Sequence, residues 1–154
     1  MTATAFRPLI IFAKAPVPGT VKTRLIPALG PEGACDLYSK LLRHTLENTR
    51  DWPGERYLYC APDTEHPSMR ALADDHQLIL RTQKGMDLGE RMARALADYP
   101  GGALLIGTDC PLLGCQHLID ANHALHTQDT AIIPSEDGGY VLIAQRAPHP
   151  APFT

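Results

Sequence analysis

Short apolar runs alternate with helical patterns along this chain, and this alternation constrains the fold more than any other feature. Between the first five runs lie segments in which apolar residues recur every three or four positions, as on the buried face of a helix. Because parallel strands need a crossover connection, usually a helix, the order predicts an α/β sandwich with a mostly parallel central sheet. The predicted strands cover residues 8–13, 56–60, 78–82, 103–107, 130–134 and 140–144.

The predicted helices cover residues 31–46, 67–75, 87–96 and 112–126. The first begins at Gly30-Pro31, since proline is favoured at the first helical position. Asp87, followed three residues later by Glu90, is typical of a helix start with a capping box. Only residues 135–139 join the last two strands, too few for a crossover helix. These strands are therefore antiparallel neighbours, or the second one bends away.

Length and charge exclude several classes of protein. At 154 residues the chain is predicted to form one domain, and its 14 basic and 17 acidic residues give a net charge of −3. This balance argues against a nucleic-acid partner, so any anionic ligand needs a local cluster of cations. The longest early apolar run, Leu9–Ala13, is too short for a signal peptide or membrane span. We expect a cytoplasmic protein without a membrane partner, whose four cysteines are free thiols.

A loop rich in glycine and proline follows the first strand and carries three cations. Ligands of open α/β sheets bind at the carboxyl ends of the strands, which is where Lys14, Lys22 and Arg24 fall. Gly19 lets a backbone approach a ligand closely. The pattern predicts a phosphate-binding loop, although not a Walker A loop, because Val21 stands where that motif needs glycine. The alternative is a solvated basic loop.

Two acidic segments are candidates for metal binding or acid–base chemistry. Asp109 directly follows the fourth apolar strand, where a carboxylate can bind a hard cation that bridges phosphate oxygens. Its alternative role is a helix N-cap. Glu136, Asp137, Gly138 and Gly139 lie between the last two strands. They are interpreted either as a substrate loop with carboxylates for metal or general-base work, or as a hairpin turn.

Glycines also surround the start of the third helix, within residues 83–92. The side-chain amide of Gln83 can donate and accept hydrogen bonds, as recognition of a base edge requires. Backbone groups near Leu88 and Gly89 would be open to a planar ligand. From these residues alone, an ordinary capped helix is the better-supported interpretation.

Four of these segments occur together, and in this order, in one known family. The segments Phe12–Leu25, Gln83–Met92, Gly107–Leu112 and Glu136–Tyr140 resemble the DUF2064 group of bacterial GT-A-fold transferases, also called radical-SAM/selenodomain-associated transferase 1. The resemblance covers residues 8–145. It implies the nucleotide-diphospho-sugar transferase fold, a Rossmann-like three-layer α/β/α sandwich whose mixed sheet has one antiparallel strand.

The resemblance also implies roles for individual residues. It implies that Gly19, Lys22 and Arg24 hold the nucleotide phosphates, and the loop pattern described above adds Lys14 to the predicted phosphate-binding residues. Those implied to contact the base are Gln83, Leu88 and Gly89. Asp109 occupies the position of a Mg²⁺ or Mn²⁺ ligand. It does so as a single carboxylate, since Gly107 and Pro111 leave no Asp-x-Asp motif of the glycosyltransferase kind.

We therefore expect a metal-dependent transferase that takes a nucleotide-sugar donor and a small-molecule acceptor. Of the expected catalytic residues, Lys22 offsets phosphate charge and Asp109 holds the metal. Asp137, or its neighbour Glu136, orients or deprotonates the acceptor. Two alternatives stay open. One is nucleotidyl transfer to a small phosphorylated acceptor with release of pyrophosphate, and the other is a non-catalytic nucleotide-binding module.

A proline-rich tail, residues 147–154, follows the nucleotide-binding domain of residues 1–146. Family members usually continue with more acceptor-site sequence, so we expect the domain to lack its C-terminal acceptor segment. The unbroken apolar run Tyr140–Ala144 is typical of a strand covered on both faces, and the prolines of the tail argue against a covering helix. We therefore expect apolar surface around Val141 and Ile143, left open or covered by a second copy in a homo-oligomer.

Overall fold

Six strands form one sheet in the computed structural model, which describes residues 6–135, 140–149 and 151–153. The strands are β1 (Leu9–Lys14), β2 (Arg56–Ala61), β3 (Ile79–Thr82), β4 (Ala103–Ile106), β5 (Thr130–Pro134) and β6 (Tyr140–Gln145). Their order across the sheet is β3-β2-β1-β4-β6-β5. The strands β1 to β4 are parallel, whereas β6 is antiparallel to both of its neighbours. The mostly parallel sheet is confirmed, and the last two strands are antiparallel neighbours.

Helices cover both faces of this sheet, which confirms the three-layer α/β/α fold. They are α1 (Ile26–Asn48), α2 (Pro67–His76), α3 (Leu88–Ala97) and α4 (Cys115–Ala124). On one face, buried residues of α1, α2 and α4 cluster with Leu9 and Ile11 of β1. On the other face, α3 packs in a cluster with Ile10 and Phe12. Because β1 is buried on both faces, its sequence is apolar without alternation.

The helices α1 and α4 begin at residues that differ from the prediction. A left-handed Gly30, with φ 75° and ψ 166°, interrupts α1 directly before Pro31, so the predicted start is the start of its second part. The N-cap of α4 is Gly114, whose N–H donates to Nδ1 of His117 at 3.1 Å. Residues 107–114 therefore form a loop, and Asp109 does not cap α4. None of the helices in the described part of the chain has the length and apolar character needed to cross a bilayer.

The expected exposure of β6 is wrong for Ile143. This strand lies inside the sheet, between β4 and β5, and Ile143 is completely buried. Val141 is partly buried and packs against the cluster that contains Leu9 and Ile11, on the opposite face of the sheet from Ile143. The tail supplies part of the cover: a 3₁₀ turn at Ala151–Phe153 places Phe153 against the cluster that contains Ile143. The prolines that exclude a long helix still permit this single turn.

A crevice opens between β1 and β4 where both strands end. Pairing of β1 with β2 extends to Lys14, but its pairing with β4 stops at Ile11 and Ile106. The strand order reverses here, which is where open α/β sheets bind their ligands. Tyr38 of α1 spans the gap. Its hydroxyl oxygen accepts a hydrogen bond from the backbone N–H of Lys14 at 2.6 Å.

This arrangement predicts that the Tyr38 hydroxyl stabilises the two strand ends. Burial raises the pKa of Tyr38 to about 12, so the hydroxyl is neutral at physiological pH. Tyr38→Phe leaves the N–H of Lys14 without this acceptor, and we expect a loss of about 1–2 kcal/mol in the free energy of unfolding, measured by urea denaturation.

The matched control is Tyr140→Phe, because the Tyr140 side chain is 38% exposed and its hydroxyl donates to Pro152 O over a longer 3.3 Å. We expect this control to change the free energy of unfolding by less than about 0.5 kcal/mol. Equal effects of the two substitutions would contradict a bridging role for Tyr38.

Candidate functional site

The β1 loop, defined as residues 15–25, folds as a glycine turn followed by a buried anchor. Gly19 has a φ of 91° within a turn in which the N–H of Thr20 donates to Val17 O at 3.0 Å. Val21 is buried in the core, whereas the next residue, Lys22, has φ 49° and ψ 43°. This left-handed conformation is costly for a residue with a Cβ, and residues that adopt it are enriched at functional sites. The buried Val21 and the turn at Gly19 together direct the Lys22 side chain into the crevice.

An ion pair joins the β1 loop to the loop after β4. Lys22 Nζ lies 2.6 Å from Asp109 Oδ1, and the two side chains are 20% and 73% exposed. A second contact holds the loop on its own strand, because Lys14 Nζ donates to Thr20 O at 2.8 Å. The fold thus brings the predicted phosphate-binding and metal-binding residues into direct contact.

The two loops enclose a cleft of about 640 Å³. Three of the four predicted phosphate-binding residues line it together with the predicted metal ligand, while Gly19 lies in the adjoining turn. Three cations against one carboxylate make the cleft locally positive in a chain of net charge −3, and such a cleft attracts anions. Its lining residues are Lys14, Thr20, Val21, Lys22, Thr23, Arg24, Leu25, Tyr38 and Asp109.

Tyr38 is the site residue that the sequence analysis missed. It lies in the helix predicted over residues 31–46, where the apolar pattern is typical of a buried face, and it is buried. Its hydroxyl nevertheless reaches the floor of the cleft. A tyrosine on a buried helix face must find a partner for its hydroxyl, and this requirement is the signal that could have identified it.

Asp109 fits a divalent cation that is shared with a ligand. The described residues contain no group of three or more His, Cys, Asp or Glu side chains that could enclose a metal. Mg²⁺ is commonly held by one or two carboxylates together with phosphate oxygens and water, so a single Asp is compatible with it. The Asp109 carboxylate already contacts a cation, the ammonium of Lys22. These residues do not form the site of four protein ligands that a structural zinc ion requires.

The Asp109 loop is fastened to α1 by side-chain hydrogen bonds. His44 Nε2 lies 2.9 Å from Pro111 O, and Asn48 Nδ2 donates to the same oxygen at 3.2 Å. Asn48 also reaches Leu113 O at 3.4 Å. Residues 107–114, which follow β4 and carry Asp109, are thereby held in place without being helical.

Gln83, predicted to contact the base, connects strand ends in this structure. Its Nε2 donates to Ala13 O at 3.1 Å and to Tyr59 O at 2.9 Å. Both amide hydrogens are used in these bonds, so the side chain offers its carbonyl oxygen to a base. Gln83 does not belong to the cleft lining, and its base-binding role stays a prediction.

Leu88 and Gly89 lie at the start of α3, outside the cleft lining. Asp87 caps this helix by accepting the N–H of Glu90 at 2.8 Å, as the sequence predicts. The Leu88 side chain is 59% exposed and available to a ligand. Gly89 faces the tail instead, since a Cβ there would lie 3.3 Å from Phe153 O. Close packing of the tail is thus one reason for a glycine at this position.

The predicted acceptor loop, Glu136, Asp137, Gly138 and Gly139, lies outside the described residues. The flanking strand ends are informative. Because β5 runs parallel to β4 and β6 runs antiparallel, Pro134 and Tyr140 lie at the sheet edge that carries Asp109. The catalytic role of Asp137 stays a prediction.

A second cavity, of about 490 Å³, lies between β3 and α3 and contains none of the predicted site residues. Three of its charged groups have partners: Arg94 pairs with Glu90 at 3.0 Å, Asp98 accepts a hydrogen bond from Tyr59 at 2.8 Å, and the guanidinium of Arg81 lies over the ring of Tyr57. Lys84 also lines this cavity and forms no ion pair within the described residues. The contacts of Arg81, Arg94 and Asp98 indicate a structural role for these three residues.

Comparisons with known proteins bear on the family and the fold of this chain. None of the curated proteins matches the chain. A protein from Desulfovibrio desulfuricans G20, assigned to the nucleotide-diphospho-sugar transferases, is 30% identical with a TM-score of 0.85, and the match covers 97% of this chain and 68% of that one.

Two more distant structures share the fold alone. A cytidylyltransferase from Leptospira borgpetersenii serovar Hardjo-bovis is 12% identical, with a TM-score of 0.60 and coverage of 96% of this chain and 62% of that one. The 4-diphosphocytidyl-2C-methyl-D-erythritol synthase from Anaerococcus prevotii DSM 20548 is 12% identical, with a TM-score of 0.53 and coverage of 94% and 64%. The chain spans less than two thirds of each of these two proteins.

One protein family matches more than half of the chain. Residues 45–154 match DUF2064, described as an uncharacterised protein conserved in bacteria. This match covers α2 to α4, all the strands after β1 and the tail. The chain therefore belongs to the DUF2064 family and has the nucleotide-diphospho-sugar transferase fold.

Proposed function

We propose that this protein is a nucleotide-dependent transferase that binds the phosphates of its donor in the cleft between the β1 loop and Asp109. One observation carries the proposal: three cations and one carboxylate converge where the strand order reverses. The similarity to a protein assigned to the nucleotide-diphospho-sugar transferases supports a nucleotide donor. The four free cysteines are in keeping with a cytoplasmic location, which is part of the proposal.

In this mechanism the protein acts mainly by positioning and by offsetting charge. Lys22 and Arg24 donate hydrogen bonds to phosphate oxygens, and the β1 loop keeps both cations on one side of the donor. Asp109 would hold Mg²⁺ or Mn²⁺, which, when bound, stabilises negative charge on the leaving phosphate. Asp137 or Glu136 would orient the acceptor or take its proton.

We propose a sugar nucleotide as the donor, since the more similar relative is assigned to the nucleotide-diphospho-sugar transferases. The acceptor oxygen then bonds to the anomeric carbon, and the nucleoside diphosphate leaves with the glycosidic electrons. A second candidate is nucleotidyl transfer, in which an acceptor phosphate bonds to the α-phosphorus and pyrophosphate leaves. The single carboxylate at Asp109, without an Asp-x-Asp motif, favours this second candidate.

Product analysis distinguishes the two reactions. The protein is incubated with Mn²⁺, candidate acceptors and either sugar nucleotides or the four nucleoside triphosphates. Release of a nucleoside diphosphate from a sugar nucleotide supports glycosyl transfer, and pyrophosphate from a triphosphate supports nucleotidyl transfer. Binding without either product would favour a non-catalytic nucleotide-binding module.

Lys22→Ala is expected to weaken binding of the preferred nucleotide by more than about tenfold, because it removes a charge-assisted hydrogen bond to phosphate. The melting temperature should change little, since a partly exposed ion pair contributes only about 0–1 kcal/mol. Titration calorimetry measures the first effect and thermal unfolding the second. Lys40→Ala, an exposed cation on α1 outside the cleft, is the matched control. Equal affinity of Lys22→Ala and the parent would contradict phosphate binding by this residue.

Asp109→Asn is expected to abolish the enhancement of nucleotide binding by Mn²⁺, because the amide is a much poorer ligand for a hard cation. Stability should be unaffected, since Asp109 caps no helix and its side chain is largely exposed. Nucleotide affinity is measured with Mn²⁺ and with a chelator, beside Asp36→Asn on the exposed face of α1. Undiminished Mn²⁺ enhancement in Asp109→Asn would show that the metal binds elsewhere.

A further inference from the structure

The two residues proposed to bind oppositely charged ligands bind each other in this structure. Lys22 Nζ contacts Asp109 Oδ1 at 2.6 Å. In the proposed function, Lys22 binds the phosphates and Asp109 binds the metal ion. The ammonium thus occupies a position that a metal ion would need, and the carboxylate occupies one that a phosphate oxygen would need.

Both partners of this pair are held from outside the pair. On one side, the buried Val21 and the left-handed backbone of Lys22 fix the point from which the side chain leaves the β1 loop. On the other side, His44 and Asn48 hold the segment after Asp109 through Pro111 O. The backbones of the two loops are therefore anchored in positions that bring the two charges together.

The other cations of the cleft are arranged differently. Lys14 is held by Thr20 O at 2.8 Å. Arg24 lines the cleft, is exposed, and forms no ion pair within the described residues. An incoming polyanion can therefore be met by the unpaired charge of Arg24 at once, whereas the charge of Lys22 is already offset by Asp109.

We propose that Lys22 and Asp109 are an exchange pair, which makes the cleft selective for a polyphosphate bound together with its metal ion. This inference rests on the proposed function. A metal ion alone must displace the Lys22 ammonium, and a metal-free polyphosphate leaves the Asp109 carboxylate facing its own negative charge. When both arrive, each charge of the pair finds an opposite charge. Metal and polyphosphate each raise the affinity for the other, and linkage requires the two factors to be equal.

The exchange pair predicts that loss of Lys22 raises the affinity for the metal ion. Lys22→Met removes a phosphate ligand but frees Asp109, so it should bind Mn²⁺ alone about fivefold more tightly than the parent does. The free Mn²⁺ signal in electron paramagnetic resonance gives this affinity without any nucleotide. Arg24→Met removes the same charge from the same cleft without touching Asp109, and should stay within about twofold of the parent.

Three outcomes overturn the exchange pair: an equal gain in both variants, no gain in Lys22→Met, or weaker Mn²⁺ binding by Lys22→Met. An equal gain would show that the general field of the cleft acts instead of the ion pair. The melting temperature of each variant verifies that it is folded.

A reciprocal measurement keeps the inference testable if Lys22→Met does not fold. Asp109→Asn frees Lys22, so with a chelator present it should bind inorganic tripolyphosphate about fivefold more tightly than the parent or Asp36→Asn does. Unchanged or weaker binding would overturn the exchange pair. Failure of the proposed function looks different, because then neither tripolyphosphate nor any nucleotide binds the parent, with or without Mn²⁺.

Discussion

The early end of pairing between β1 and β4 is the constraint on which the candidate site depends. Two neighbouring parallel strands stop at different heights, at Ile106 and Lys14, and a gap opens between them. The Tyr38 hydroxyl occupies the floor of that gap. Without it, a backbone N–H would face the cleft unpaired, at a cost comparable to a lost hydrogen bond. Helix α1 therefore both covers the sheet and shapes its ligand-binding edge.

Electrostatics at this edge follow from the arrangement of backbone and loops. Parallel strands deliver the β1 loop and the Asp109 loop to the same side of the sheet. The cations come from one loop and the carboxylate from the other, so their distance depends on the loop anchors, Val21 on one side and Asn48 on the other. A chain with a net charge of −3 thus concentrates positive charge in one cleft. The same arrangement lets a ligand exchange partners with the protein's own charges.

Much of this could be predicted from the sequence. Local patterns predict each strand, and the position of Lys22 and Asp109 after strand ends predicts that both lie at the ligand-binding edge. The contact between them, the hydroxyl of Tyr38 at the cleft floor and the burial of Ile143 could not be predicted. Each depends on residues far apart in the chain, such as Phe153 beside the Ile143 cluster. Local propensity also failed at α4, where Gly114 and His117 delay the helix start beyond the turn at Pro111.

Paramagnetic broadening by Mn²⁺ in the presence of a nucleoside triphosphate locates the metal in the folded protein. Amide resonances in a ¹⁵N correlation spectrum broaden steeply as their distance to Mn²⁺ falls. If the metal and the donor phosphates bind at the crevice between β1 and β4, the resonances of Lys14, Lys22 and Thr108 broaden first. Broadening centred on Arg81 and Arg94, beside the second cavity, would contradict binding at this crevice.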